Sequence, residues 1–144
     1  MIFSRSSEYA LRAFACLAEV EPGTYVMAKD IAEKAELPSH FLAKILQQLA
    51  RKGFLKSNKG PSGGFTLTQP AAKLSLMDIV SAVDGTAELD RFPFKNGNGR
   101  SQAHNGWKTL RSSIVDYLES TSVADLASGG ADRKVRTKKN GSKA

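Results

Sequence analysis

A mainly α-helical fold carrying one small β-hairpin is the class this chain predicts. Apolar residues recur at helical spacing in several successive segments. Between two of those segments, a glycine-rich turn separates two short runs of strand-like residues. Near the end, apolar side chains step by three and four, the pattern of a two-helix seam.

Each element has its own signal. The first helix is expected from about Ser6 to Glu19, with Tyr9, Ala13, Cys16, Leu17 and Val20 on one row and Ala10 and Phe14 on a second. A helix apolar on more than one face belongs at the centre of a core. A short second helix is expected over residues 28–34, and Ala35-Glu36-Leu37-Pro38 reads as a tight turn. The third helix is expected from Ser39 to Lys52, with Ser39 as its cap or Pro38 opening its first turn. Its apolar face is Phe41, Leu42, Ile45, Leu46 and Leu49, and Gly53 suits its C-terminal end.

Residues 54–57 and 65–68 then read as two strands around Asn58-Lys59-Gly60-Pro61-Ser62-Gly63-Gly64. Ser75 followed by Asp78 marks a capped fourth helix over residues 76–83. Residues 90–105 read as a loop. A long helix follows over residues 106–121, with Trp107, Leu110, Ile114, Tyr117 and Thr121 along its seam. Ser122 and Asp125 form a second cap for a last turn at residues 123–127.

Size and composition bound the possibilities. A chain of 144 residues is one domain, or one domain with an appendage, and is large enough to bury a core. The single Cys16 excludes an intramolecular disulfide framework and fits a reducing cytoplasm. No apolar run approaches the ~20 residues that span a bilayer. Glu8 and Arg12 interrupt the N-terminal apolar stretch, which reads as core helix rather than signal peptide.

The net charge of +7 is unevenly spread. Residues 128–144 hold six Lys/Arg against one Asp/Glu and no apolar periodicity, the signature of a basic disordered tail. A second bias coincides with expected structure. The 41 residues from Leu37 to Met77 contain no Asp or Glu, but do contain Lys44, Arg51, Lys52, Lys56, Lys59 and Lys73. An ordinary solvated face mixes signs; a one-sign field suits a phosphate backbone.

A short helix, a turn, an amphipathic helix and a hairpin make a winged helix-turn-helix. The polar face of the third helix carries Ser39, His40, Ala43, Lys44, Gln47, Gln48 and Arg51, and Phe41 joins them as a candidate DNA-binding residue. Such a helix fits a major groove about 12 Å wide. Gln47 or Gln48 can pair bidentately with adenine, and Lys44 with guanine or phosphate. Arg51 and Lys52 fall at the helix end, where backbone contact is expected. At the hairpin tip, Asn58, Lys59, Gly60, Pro61, Ser62, Gly63 and Gly64 form the expected wing. Its glycines would allow close approach to a DNA strand.

Three phrases carry a resemblance: SSEYALRAFACLA, DIAEKAELPSHFLAKILQQLARKGFLKSNKGPSGGFTLT and LSLMDIVSAVDG. Together they resemble the IscR-like (Rrf-two) family of bacterial winged-helix transcription regulators, over about residues 1–127. The resemblance implies a cytoplasmic, nucleoid-associated homodimer on a pseudo-palindromic operator, with the third helix in the major groove and the wing in the flanking minor groove. The function expected of such a helix-plus-wing unit is sequence-specific repression by operator occupancy. Lys59 stands where the family often has Arg, and Ala43 where some relatives are acidic.

Many members of that family hold a [2Fe–2S] cluster on three cysteines before the dimer helix. Here residues 90–105 contain no cysteine; His104 lies where a family ligand would lie, and Ser101 takes the place of the last cysteine. One His cannot replace three thiolates, so no cluster and no metal site are expected, and the signal would come from a protein or small-molecule effector.

The expected organisation is a DNA-binding domain at residues 1–85, a sensor-type loop at 86–105, a dimerisation helix and final turn at 106–127, and the tail. The alternative is a winged-helix protein-interaction module acting with a partner. No Ser/His/Asp or Cys/His set, paired carboxylates or phosphate loop suggests an enzyme.

Overall fold

Ser4 opens the first helix, α1 (Arg5–Leu17), by accepting from the Ser7 N–H at 3.1 Å. The computed structural model of the chain describes residues 4–61, 63–85 and 102–127. Ala10, Ala13, Phe14 and Leu17 of α1 are buried, and the helix meets α2 (Ala28–Ala35), α3 (Ser39–Arg51) and α4 (Leu76–Asp84). This is the central position that its two apolar rows require.

The turn between α2 and α3 depends on Glu36. Its backbone is left-handed, at φ 59° and ψ 52°, and it is the one such non-glycine among the described residues. That geometry lets the Leu37 N–H reach the Ala32 carbonyl at 2.8 Å and buries the Leu37 side chain. Pro38, not Ser39, occupies the cap position of α3, and no side chain caps that end. Ser39 is thus the first helical residue rather than an acceptor for the first turn. Leu42, Ile45, Leu46 and Leu49 are fully or nearly fully buried. Phe41 departs from the expected apolar face: it is 39% exposed and sets its ring edge-on to Tyr9, with centroids 5.5 Å apart. Gly53 follows the helix with φ 90°.

The wing is an antiparallel pair, β1 (Leu55–Asn58) and β2 (Gly64–Leu67), in register from Leu55↔Leu67 to Asn58↔Gly64. A third segment, absent from the sequence reading, joins it. Val26 and Phe65 exchange backbone hydrogen bonds at 2.9 and 2.8 Å just before α2 begins.

After a 3-10 turn at Ala71–Lys73 comes α4, then the long helix α5 (Gln102–Ser120) and a last short helix, α6 (Val123–Leu126). Both expected capping boxes are present, Ser75 with Asp78 and Ser122 with Asp125. The two caps also pair with each other. A Ser75↔Ser122 bridge is flanked by Leu76 N–H to Thr121 O at 2.9 Å and Val123 N–H to Leu74 O at 2.7 Å. Leu118 and Val123 anchor this end in the core with Leu74, Leu76, Ile79 and Val80.

The expected loop is shorter at its end than the sequence suggested, because α5 begins at Gln102 and includes residues 102–105. Gly106 looked like a boundary, since glycine costs a helix about 1 kcal/mol relative to alanine. The surrounding residues form helix regardless, with the Thr109 hydroxyl bonding back to the Asn105 carbonyl at 3.2 Å. His104 is therefore a half-buried helix residue, not a loop residue. The expected wing residue Ser62, Ser101 with the remainder of the expected loop, and the expected tail at 128–144 lie outside the described residues.

Candidate nucleic-acid interface

At 100° per residue, His40, Lys44, Gln47 and Arg51 fall within about 60° of one another around α3. All four are exposed, and they form one stripe along the helix. Ser39 is also exposed, at the helix start. Ala43 and Gln48 flank the stripe on opposite sides and are half-buried. The four buried leucine and isoleucine side chains opposite fix the helix rotation that turns the stripe outward. Of the two expected adenine-reading glutamines, Gln47 therefore holds the central position.

On the Ala43 side, a cleft of about 680 Å³ separates α3 from the wing. Gln47 and Arg51 line one wall, Asn58 and Lys59 the other, and Met27 and Ala28 at the start of α2 its end. Met27 is 38% exposed there, and no periodicity in the sequence marked it. Lys56 and Lys59 are exposed on the wing, as are Gly60 and Pro61 at its tip. No described side chain between Leu37 and Met77 is acidic, so the stripe and wing carry one sign of charge.

Two expected contacts take a different form. Lys52 does not extend the stripe; its Nζ donates to the Ala82 carbonyl at 2.6 Å, in the last turn of α4. Gly63 and Gly64 approach the protein's own backbone. An added Cβ on Gly63 would lie 2.2 Å from the Asn58 carbonyl oxygen, and one on Gly64 2.3 Å from that of Val26. Gly64 also has φ 138°, which side-chain-bearing residues rarely adopt.

Behind the stripe, the C-terminal turn of α4 is tied to α1. Asp84 accepts from the Ser4 backbone N–H at 2.8 Å, the Ser4 hydroxyl at 2.5 Å and the Ser7 hydroxyl at 2.9 Å. Burial would raise the Asp84 carboxyl, but these hydrogen bonds outweigh it and hold the group below the usual carboxylate value. Cys16 is half-buried in α1; burial, then the nearby Glu19 carboxylate, raises its thiol above the usual value. Such a thiol is a poor nucleophile and a poor metal ligand.

The exposed residues of the long-helix seam are Leu110 (53%) and Tyr117 (56%), while Trp107 and Ile114 are half-buried. Beside them, α1 and α5 enclose an apolar groove of about 620 Å³ lined by Leu11, Ala15, Ile114, Tyr117 and Leu118, with Glu8 and Arg12 at its edge.

A basic exposed stripe on the second helix of a helix-turn-helix, with a wing beside it, defines a winged-helix DNA-binding protein. The chain belongs to the Rrf2 family, described as an iron-dependent transcriptional regulator, whose profile matches residues 3–129. It is 31% identical over 141 residues to Rv1287 of Mycobacterium tuberculosis, whose name places it among HTH-type transcriptional regulators; the match covers 94% of this chain and 86% of that protein. It is 27% identical to the HTH-type transcriptional regulator IscR of Xenorhabdus nematophila, across 88% of this chain and 79% of the relative. Its fold superposes on CymR, the global cysteine regulator of Bacillus subtilis, with a TM-score of 0.75 at 24% identity, over 88% of this chain and 96% of that one. The protein is thus a transcription regulator of the winged-helix type, and DNA is its partner. Among the described residues, no helix is long and apolar enough to cross a membrane.

The family description raises iron, and the donor set can be tested against it. A [2Fe–2S] cluster held in the usual way needs several thiolates. The full sequence offers one cysteine, and that one is packed in α1 with a raised thiol. These residues do not fit a thiolate-held cluster.

Proposed function

We propose that the chain is a homodimeric repressor that occupies a pseudo-palindromic operator and carries no iron–sulfur cluster. The observation that carries this reading is the single exposed stripe His40–Lys44–Gln47–Arg51 facing a cleft whose far wall is the lysine-bearing wing. A helix so oriented presents Gln47 and Lys44 to base edges, while Arg51 and Lys59 meet phosphates on either side. Both grooves of the duplex are then engaged by one rigid head.

The second copy is the occupant we assign to the groove between α1 and α5. Leu110 and Tyr117 lie more than half exposed on a single chain, next to an apolar trough on the same helix. Pairing of two such surfaces about a two-fold axis would match a palindromic site with half-sites about 34–36 Å apart. The reading assigns the protein no catalytic role and places it in the cytoplasm with the DNA it occupies.

The test begins with a duplex selected by the protein from a randomised pool. Binding should fall steeply with salt, log K losing about 0.9 per phosphate neutralised for each unit of log salt. Lys44→Ala combined with Gln47→Ala should abolish preference for the selected duplex over an unrelated one. Unchanged preference would mean that another surface reads the bases.

A further inference from the structure

The wing meets the start of the helix-turn-helix, just before α2, through a backbone contact. Val26 and Phe65 exchange two backbone hydrogen bonds, and Gly64 lies directly on the peptide between Val26 and Met27. The atoms facing the missing Cβ of Gly64 are the Val26 carbonyl oxygen at 2.3 Å, the Val26 carbonyl carbon at 2.4 Å and the Met27 nitrogen at 2.8 Å. All three are backbone, so no flexible side chain can move aside. Val26 leads directly into α2, whose own position is set by packing on α1 and α3. The inner ends of the wing strands are anchored by Leu55 at 2% exposure and Phe65 at 7%. Beyond Asn58, Lys59, Gly60 and Pro61 are exposed. Any change in the spacing between Gly64 and Val26 is therefore expressed at the tip.

We propose that Gly64 is a positioning residue for DNA binding, whose contact with Val26 sets the separation between Lys59 and the stripe on α3. The proposal rests on reading the stripe and the wing as one DNA-binding surface. A duplex offers grooves of fixed width, about 12 Å for the major and about 6 Å for the minor. A wing and a helix that engage both at once must hold a matching gap. Adding a Cβ at Gly64 forces the wing outward by about 1 Å to restore an ordinary contact, and strains the φ of residue 64 as well. Gly63 has the complementary task inside the hairpin, where it lies on the Asn58 carbonyl and closes the tip.

The experiment is a double-mutant cycle on a duplex selected by the parent protein, with Gly64→Ala and Lys59→Ala alone and together. Each single change should weaken binding about tenfold and lower the salt slope by about one. If Gly64 acts by placing Lys59, the double variant should bind no worse than the weaker single one. A general loss of fold would instead multiply the two effects to about a hundredfold, and that outcome overturns the proposal. Where Gly64→Ala lacks the parent's circular-dichroism signature, Val26→Pro replaces it in the same cycle under the same check; it removes the N–H that bonds the Phe65 carbonyl, fixes φ and replaces the valine side chain. A Lys59→Ala protein that binds like the parent also overturns the proposal, and leaves reading by Lys44 and Gln47 standing. A parent that enriches no duplex removes the DNA reading itself, and the proposal with it.

Discussion

Lys52 is bonded to Ala82: the ammonium at the end of α3 donates to a carbonyl in the last turn of α4 at 2.6 Å. A cation near the C-terminal carbonyls of a helix also complements its dipole. Helix α3 is thereby tied, at its far end, to α4. Its neighbour Arg51 points outward along the stripe.

The two adjacent cations should therefore separate in their effects. Lys52→Met keeps the aliphatic stem and removes the donor. It should lower stability by about 1 kcal/mol and leave the salt slope of DNA binding unchanged. Arg51→Met should leave stability within about 0.5 kcal/mol and reduce the slope by about one. Chemical denaturation and binding titrations at several salt concentrations check both. Equal slopes for the two variants would place Lys52 on the DNA.

Asp84 gives the fold a dependence on acid. Its carboxyl is held below its ordinary value near 3.8 in the folded protein. A depressed folded value means that the stabilisation is fully present above the unfolded value. It is lost as the pH falls from about 4 through the lowered folded value. Asp84→Asn should cost about 1 kcal/mol at neutral pH, since the amide group accepts fewer of the three bonds from Ser4 and Ser7. The gap between variant and parent should narrow below about pH 4, followed by thermal unfolding against pH. A gap constant from pH 7 to pH 3 would contradict the charge assignment.

The proposed pairing of two copies through α5 predicts a separation of oligomerisation from folding. Leu110 and Tyr117 are more than half exposed within one chain, so Leu110→Glu with Tyr117→Glu should leave the helical signal intact. Sedimentation should show the variant as a monomer. Affinity for a two-half-site duplex should fall by about a hundredfold or more, because the two heads no longer bind as one ligand. A variant that stays dimeric would move the interface off this face.

The donor set predicts the spectrum. Protein purified without oxygen should show no visible absorption bands and no stoichiometric iron, because a single half-buried thiol cannot assemble a thiolate-held cluster. Iron at a fixed ratio to protein would show that other ligands replace the family's cysteines.

Much of this architecture is legible in the sequence because its signals are local. The period of Leu42, Ile45, Leu46 and Leu49 fixes which way α3 faces, and the Ser75–Asp78 and Ser122–Asp125 pairs mark helix starts within a residue. What the sequence leaves hidden depends on contacts distant in the chain. Val26 is a single paired residue, too short to show any alternation. Lys52 and Ala82 are 30 residues apart, and Ser4 and Asp84 are 80 apart. Gly63 and Gly64 were legible as glycines that something approaches closely. The approaching atoms are the chain's own, and they come from Asn58 and Val26. Phe41 fits the apolar period yet sits at its margin, exposed and with its ring nearly perpendicular to that of Tyr9.

The bridge between Ser75 and Ser122 has a mechanical consequence. It pins one end of α5 to the start of α4, so that end is a fulcrum. With 19 residues, α5 is a rod about 28 Å long. A tilt of about 10° at the pinned end sweeps the other through about 5 Å at that length. Small angular strain near Thr121 would thus be geared up along the rod, and two rods crossed in a dimer would convert it into a change in the span between heads.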